Sequence, residues 1–237
     1  METAENEETV LNWLMLAWDD YISGFAVLFP VMLALVALSL PTFWLIHRYN
    51  SYLPALPYLL LVLTPATTGS NLVYIKLARG EKTSFMALFS AFQVYPQALA
   101  VTVWLGFITM AGMLAFILPG IILYTTYCFS EYAVVDRRTG IKESFRFSSG
   151  ITPGWRGGLA LLLILTTVVD ILTPSPVGVA GKLSAPSLAF ELTPWIITGF
   201  CLKTFVFLPW LHMAMARAYN TLVRCAPPAP VPTADAD

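Results

Sequence analysis

The stretch that decides the fold is Ala111–Gly158, AGMLAFILPGIILYTTYCFSEYAVVDRRTGIKESFRFSSGITPGWRGG. An apolar run enters it, is interrupted at Pro119-Gly120, and resumes as a second apolar run that ends at Asp136. Proline removes a backbone donor and glycine tolerates unusual dihedral angles, so a helix ends easily at such a pair. The charged and amphipathic residues that follow are typical of a helix on a membrane surface. The stretch therefore predicts a tight hairpin of two membrane-spanning helices, then a surface helix.

The composition of the whole chain indicates an integral membrane protein. Of its 237 residues, 57% are hydrophobic and 11% are charged, whereas a soluble domain carries about 25% charged residues. Each helical span needs about 20 apolar residues, and the apolar runs supply about six spans. We predict an all-α, polytopic membrane bundle. A net charge of −1 offers no basic field that would attract nucleic acid.

The predicted elements divide the chain into one membrane domain and two tails. Residues 1–9 are acidic and residues 225–237 are proline-rich and acidic, so both are predicted to be disordered around a single transmembrane domain, 10–224. The connection 174–191 is too apolar for an ordinary loop, and a loop and an interfacial helix both remain open for it. The predicted spans cover about 22–46, 55–78, 96–117, 121–135, 157–173 and 193–216, and amphipathic surface helices cover about 10–18, 82–92 and 141–150.

The distribution of lysine and arginine predicts the orientation. With six spans, two of the loop cations, Arg48 and Lys182, fall on one side, and Lys203 lies within a span. Because cytoplasmic loops carry the excess of positive charge, the richer side and both termini are predicted to be cytoplasmic, in the cell inner membrane. The richer side holds Lys76, Arg79, Lys82, Arg137, Arg138, Lys142, Arg146, Arg156, Arg217 and Arg224.

An internal repeat is visible around the surface helices. Gly80–Phe85 and Gly140–Phe145 share the pattern G-x-K-x-S-F at an offset of 60 residues. Each copy follows one predicted span and precedes another, which predicts a repeated unit of a surface helix plus a two-helix hairpin. The 10–18 helix and the first two spans would form a degenerate first copy. Such repeats are common in transporters, but duplication alone does not imply transport.

A pattern in the same region carries a family resemblance. Pro119-Gly120-Ile121 is followed by a span, then Asp136, and then Gly140-Ile141 with Ser144, Arg146 and Ser148. This pattern resembles the YciC-like six-span membrane family and the related membrane domain of glycerophosphodiester phosphodiesterases. The resemblance implies a prokaryotic cytoplasmic-membrane protein whose biochemical role is not established in that family. The soluble phosphodiesterase domain is absent here, so the resemblance implies no such activity.

Charged residues inside predicted spans are the first site candidates, because a charge at the centre of a span costs roughly 2.5–3.5 kcal/mol by insertion scales. Asp170 and Lys203 lie at similar depths in successive spans, and we predict a buried ion pair between them. Lys203 extending its ammonium group to the interface and a coupling site in a transport path are the alternatives.

A second candidate is a polar cluster of Asn71, Glu131 and His212. Each lies five residues before a charged residue at the end of a predicted span: Lys76, Asp136 and Arg217. If three hairpins pack around one axis, the three side chains converge at one depth and form a gate or small binding site. The alternative is that boundary positions accept any polar residue and the three point in unrelated directions. Glu131 alone fits a satisfied boundary carboxylate better than a proton relay.

The remaining candidates concern lipids, enzymes and metals. A cluster of cations beside the second surface helix is suited to contact anionic lipid phosphates: Arg137, Arg138, Lys142, Arg146 and Arg156. Only two histidines are present, and HExxH, GxSxG and phosphate-binding glycine loops are absent, so we predict no enzyme, cofactor or metal. The three cysteines have no metal-binding spacing.

These observations predict a non-enzymatic membrane protein that serves as a scaffold, an assembly factor or a lipid-organising accessory. Its partners would be membrane lipids, with a membrane protein or a second copy of the chain as further partners, and no nucleic acid. The alternative is a small permease, or the membrane subunit of one, that uses Asp170, Lys203 and Glu131. A continuous polar path would favour the permease, and a dry apolar centre would favour the accessory protein.

Overall fold

The computed structural model of the chain describes residues 2–173, 175–182 and 185–225. Apart from one β-hairpin, its regular elements are helices, which confirms the all-α class. In chain order they are α1 (Glu2–Tyr49), α2 (Ala55–Tyr58), a π-helical segment (Leu59–Leu63), α3 (Thr64–Ala78), a 3-10 helix (Phe85–Val94), α4 (Tyr95–Ala115), α5 (Ile117–Tyr127), α6 (Ser130–Arg137), α7 (Ile141–Ile151), α8 (Arg156–Leu172), α9 (Pro194–Leu202), a second π-helical segment (Lys203–Phe207) and α10 (Leu208–Cys225).

Several of these elements join into helices of membrane-spanning length. Among the described residues, four helices are long and apolar enough to cross a bilayer: Val10–Tyr49, Ala55–Ala78, Phe85–Ala115 and Pro194–Cys225. The pair of α7 and α8 makes a fifth if counted as one span, although the two meet at 109°. Long apolar helices support a membrane protein, whereas the predicted number of six spans stays a prediction.

The N-terminal part of the chain differs from the prediction. The 10–18 segment is not a separate surface helix, and residues 2–9 are not irregular, because the backbone of both belongs to α1. No proline or glycine interrupts the chain before Ser23, so nothing ends the helix there. Asp20 makes an ion pair instead of capping a new helix. Of the tail predicted to be disordered, Cys225 ends α10 and residues 226–237 lie outside the described residues.

The break in the decisive stretch lies at Phe116 and not at Pro119-Gly120. Phe116 is extended, with φ −165° and ψ 153°, and Pro119 lies in the first turn of α5, where proline is tolerated. Gly120 serves close packing, because a Cβ atom there would lie 2.9 Å from the backbone nitrogen of Met113 on α4. The Pro119-Gly120 pair therefore correctly predicts a helical hairpin in this stretch, but the turn of that hairpin lies at Phe116.

The connection 174–191 is neither a loop nor an interfacial helix. It contains an antiparallel hairpin of β1 (Val177–Lys182) and β2 (Ala185–Phe190), with Val177 opposite Phe190. Val177 and Val179 are the β-branched residues of these strands, and most of the others are small. The hairpin reaches one end of α1, where the ring centroids of His47 and Phe190 are 6.4 Å apart.

The opposite end of the bundle is where α3, α6 and α10 finish; we call it the network end. Three contacts tie a helix to the segment that begins the next hairpin. A Cβ atom on Gly69 of α3 would lie 1.9 Å from the carbonyl oxygen of Leu88 in the 3-10 helix. Ser148 of α7 bonds the chain between α5 and α6. Trp210 of α10 donates to the carbonyl of Leu14 in α1, at 2.8 Å.

Candidate functional site

The three polar residues singled out by their spacing line one cavity inside the bundle. Asn71 lies on α3, Glu131 on α6 and His212 on α10, and their cavity has a volume of about 110 Å³. This shared lining favours the interpretation that the three residues converge over the one in which they point in unrelated directions. The other lining residues are Tyr124, Cys128, Tyr132, Leu163, Thr166 and Met215, so α5 and α8 complete the wall.

Each polar residue has a defined setting in this central cavity. Glu131 accepts a hydrogen bond of 2.7 Å at Oε1 from the hydroxyl of Thr102 on α4. His212 stacks on Tyr74, with ring centroids 5.6 Å apart and planes at 27°. Among the described side chains, no lysine or arginine pairs with Glu131. The cavity therefore combines a carboxylate, an amide and an imidazole without a protein cation to balance the carboxylate.

The ion pair between the fifth and sixth predicted spans is present, but it is not buried on both sides. Lys203 Nζ lies 2.5 Å from Asp170 Oδ1, and it also donates to the Asp170 carbonyl at 3.2 Å. The Lys203 side chain is 12% exposed and the Asp170 side chain is 63% exposed. Asp170 lies in the last turn of α8, so its carboxylate reaches past the packed helices.

Lys203 also begins a π-helical segment, in which the backbone N–H of Leu208 bonds the Lys203 carbonyl five residues earlier. The hydroxyl of Tyr21 on α1 donates to the Phe205 carbonyl within that segment, at 2.6 Å. A groove of about 290 Å³ beside the segment is lined by Lys203 and His212 together with apolar residues of α1. His212 thus borders both this groove and the central cavity, while Asp170 borders neither.

A hydrogen-bonded network at the network end escaped the sequence analysis, which counted Arg79 only as a topology signal. Arg79 makes two hydrogen bonds of 2.6 Å to the carboxylate of Asp136 and one of 2.9 Å to Asn220. Tyr219 donates to Asp136 at 3.0 Å. The hydrogen bonds that Arg79 donates to Asp136 raise the pKa of Arg79 above its ordinary value, so the guanidinium stays charged. The signal available in the sequence was a lone aspartate beside two arginines at the end of an apolar run.

A second pair closes the bundle between its first and last helices. Both Nε and Nη2 of Arg217 on α10 bond the carboxylate of Asp20 on α1, the latter at 2.6 Å. Nearby, the rings of Phe129, Tyr132 and Tyr219 pack with centroids 5.4–5.5 Å apart. Bidentate arginine pairs and packed aromatic rings both fix geometry. The network end is therefore closed by side chains, with no open channel formed by these groups.

The cations predicted to contact lipid phosphates, which we call the basic collar, are Arg137, Arg138, Lys142, Arg146 and Arg156, and all five are exposed. Arg137 lies over the ring of Phe147, at 4.2 Å from its centroid, and Arg138 donates to Gln93 at 3.1 Å. Among the described side chains, none of the five lies within ion-pair distance of a carboxylate. Unlike Arg79 and Arg217, the basic collar keeps its charge available.

The structure also bears on metals and cysteines. Among the described residues, no group of three or more histidine, cysteine, aspartate or glutamate side chains is placed to hold a metal ion. Cys128 is buried, whereas Cys201 and Cys225 are exposed, and all three are free thiols. The central cavity is lined by a mixture of polar and apolar groups.

Comparison with protein-family models, curated proteins and solved structures finds no match for this chain. The resemblance to the YciC-like family stays a prediction. What the protein does must be argued from its own cavities, charges and packing.

Proposed function

We propose that the chain is a non-enzymatic, six-span protein of the cytoplasmic membrane that organises anionic lipids at the inner leaflet, with both termini in the cytoplasm. The observation that carries the proposal is the basic collar. Its five cations lie together at one end of the molecule and have no carboxylate partners among the described side chains. Each such cation near an anionic leaflet contributes about 1 kcal/mol of attraction.

The shape of α7 supports the same proposal. Its polar face carries Lys142 and Arg146, which are exposed, while Ser144 and Ser148 are buried against the bundle. The bend of 109° between α7 and α8 turns α7 away from the direction of the next apolar helix. A helix held across the end of a bundle, with cations outward, is the arrangement that binds lipid headgroups.

We extend the proposal to the internal repeat. Three hairpins, each begun by a segment that packs on the preceding helix, would make one closed ring. The contacts Gly69–Leu88, Phe129–Ser148 and Trp210–Leu14 support this arrangement, because each joins one hairpin to the start of another. In this arrangement the residues that carry the YciC-like resemblance lie in the second and third units. A membrane-protein partner or a second copy of the chain would bind outside the ring.

The alternative is a small permease or the membrane subunit of one. The observation that favours it is the polar central cavity, which borders Glu131 on one side and meets the Lys203 groove through His212 on the other. Against it, Asp170 lines neither space, and the network end is closed by the Arg79–Asp136 pair. A lipid-organising role therefore accounts for more of the molecule.

Lipid binding in vesicles tests the proposal. Purified protein is offered vesicles with and without an anionic lipid, and retained lipid is identified by native mass spectrometry. We expect the triple variant Lys142→Gln, Arg146→Gln, Arg156→Gln to bind the anionic lipid about 100-fold more weakly than wild type, since three contacts near 1 kcal/mol each are lost. Arg48→Gln, an exposed cation at the other end, is the matched control.

Two outcomes decide between the functions. Equal retention of anionic lipid by wild type and the triple variant would contradict the lipid-organising role. Proton flux in the same vesicles that is lost in Glu131→Gln, with lipid retention unchanged in the triple variant, would favour the permease.

A further inference from the structure

A second groove runs along α4 and is bordered by Tyr124 of α5 and Glu131 of α6, with no residue of the basic collar among its lining. It has a volume of about 530 Å³, and its walls are largely apolar, with Leu105, Met110, Met113 and Leu114 on one side. Sites for small molecules have volumes of a few hundred Å³ or more, mostly apolar walls and a few polar groups that fix orientation. Methionine side chains suit such a wall because they adapt to irregular apolar ligands.

One charged residue borders this groove among the described residues that line it, and that residue is Glu131. It stands where the groove and the central cavity meet, because it lines both. Its Oε1 atom is held by the Thr102 hydroxyl at 2.7 Å, and no described lysine or arginine pairs with it. A carboxylate away from bulk water is stabilised by a positive partner, and the protein does not supply one here.

A second polar group lies farther along the same wall. The hydroxyl of Thr109 is buried and has no hydrogen-bond partner among the described residues. Thr109 is seven residues beyond Thr102 on α4, so it lies about 10 Å farther along the helix. The groove therefore has an ionisable end at Glu131, a largely apolar length, and the Thr109 hydroxyl buried in its wall.

We propose that this groove binds a cationic amphiphile, with one ammonium group beside Glu131 and a hydrocarbon chain lying between α4 and α5. The negative charge at one end and the apolar walls match these two parts. A phosphate-bearing headgroup fits poorly, because the described lining residues include no lysine or arginine to receive it. This site shares no residue with the basic collar. Its test can therefore succeed or fail whatever the result for anionic lipid binding.

Gly106 allows the groove to be filled without disturbing the fold. It lines the groove, and a Cβ atom added to it would meet nothing within 4 Å. Gly106→Leu therefore places a side chain where the ligand's hydrocarbon chain would lie. Gly150→Leu is the matched control, because Gly150 is also open but lies on α7.

The experiment compares a spin-labelled alkylammonium with the spin-labelled alcohol of the same chain length. Wild type and variants are placed in nanodiscs of zwitterionic lipid, and the immobilised fraction is measured by electron paramagnetic resonance. We expect Glu131→Gln to weaken binding of the ammonium compound by about tenfold or more, since hydrogen bonds to charged groups are the strong ones, and to leave the alcohol unchanged. Gly106→Leu should weaken both. Gly150→Leu should weaken neither, and nor should Glu191→Gln, which neutralises an exposed glutamate that does not line the groove.

Equal immobilisation of the two compounds by wild type would overturn the proposal, and so would unchanged binding in Gly106→Leu. Retained ammonium binding in a folded Glu131→Gln variant would also overturn it. If Glu131→Gln does not fold, the comparison of ammonium with alcohol in wild type and in Gly106→Leu still decides the question.

Discussion

The two segments that share the pattern G-x-K-x-S-F fold differently. After Gly80 the chain is extended at Ser84 and enters a 3-10 helix that continues into α4 as one helix, Phe85–Ala115. After Gly140, α7 begins at once and then meets α8 at 109°. A shared motif can therefore mark where a segment starts without deciding how it enters the next helix.

The difference follows from how each segment is held against the helix before it. Gly69 and Leu88 occupy the same relative positions as Phe129 and Ser148, at the offset of 60 residues. In the first region, the missing side chain of Gly69 lets the Leu88 carbonyl approach an unbroken α3. In the second, the Ser148 hydroxyl accepts from the Phe129 N–H at 3.2 Å and donates to the Thr126 carbonyl at 2.8 Å. Ser148 thus replaces helix hydrogen bonds where α5 and α6 separate.

The largest effect is expected at the close contact in the first region. Gly69→Leu should destabilise the protein by about 3 kcal/mol or more, because the new Cβ atom would meet a backbone oxygen that no side-chain rotation can move. The measurement is the unfolding midpoint in detergent micelles during titration with a denaturing surfactant. Gly106→Leu, on the same type of helix but with open space, is the control. Equal unfolding midpoints for Gly69→Leu and Gly106→Leu would contradict the interpretation that the Leu88 carbonyl needs a glycine at position 69.

An intermediate effect is expected at the hydrogen-bonded contact in the second region. Ser148→Ala should cost about 2 kcal/mol, because it leaves the buried Phe129 N–H without its acceptor. The same unfolding assay measures it, and amide hydrogen exchange at Phe129 should quicken. Ser149→Ala, which removes a hydroxyl bonded to the Arg146 carbonyl of its own helix, should change stability by less than about 0.5 kcal/mol. If Ser149→Ala lowered the free energy of unfolding as much as Ser148→Ala, the stabilising role of the bond between Ser148 and Phe129 would be contradicted.

The smallest effect concerns the hairpins that follow the two segments. The α4–α5 hairpin is held by glycine packing, since a Cβ atom on Gly112 would lie 2.9 Å from the Gly120 Cα atom. The α8–α9 hairpin has the Asp170–Lys203 pair instead. Because Asp170 is 63% exposed, Asp170→Asn should cost about 1 kcal/mol or less. Adding Lys203→Met should recover part of that loss in a double-mutant cycle. If the two changes simply add, the pair contributes nothing.

The sequence was most informative where one spacing held across several helices. Asn71, Glu131 and His212 were each related by a count of five residues to a charged residue farther along the same helix, and all three line one cavity. The β-hairpin was missed because its strands are short and small-residue-rich, a composition that also suits a loop. The Arg79–Asp136 pair was missed because its partners are 57 residues apart, and nothing in single-sequence periodicity indicates which charges meet.

The boundaries of the helices were predicted least well, for a related reason. Pro119-Gly120 was taken as a helix end, yet Pro119 lies within α5, just as Pro30 and Pro41 lie inside α1. In a membrane helix, neighbouring helices and local changes of helical geometry satisfy the freed backbone groups. The 10–18 segment joined α1 for a different reason: no proline or glycine interrupts the chain before Ser23, and Trp210 of α10 donates to the Leu14 carbonyl within the segment.

The bond between Trp210 and the Leu14 carbonyl and the pair between Arg217 and Asp20 have a consequence for biosynthesis. Asp20 is 197 residues ahead of its partner in the chain. At about 5–20 residues per second, it is made roughly 10–40 s before Arg217 exists. During that interval α1 enters the membrane with a carboxylate that no later helix has yet neutralised. The packing of α1 thus depends on α10, the last helix to be translated. Until α10 is made, lipid or the insertion machinery must cover the face of α1 that carries Leu14 and Asp20.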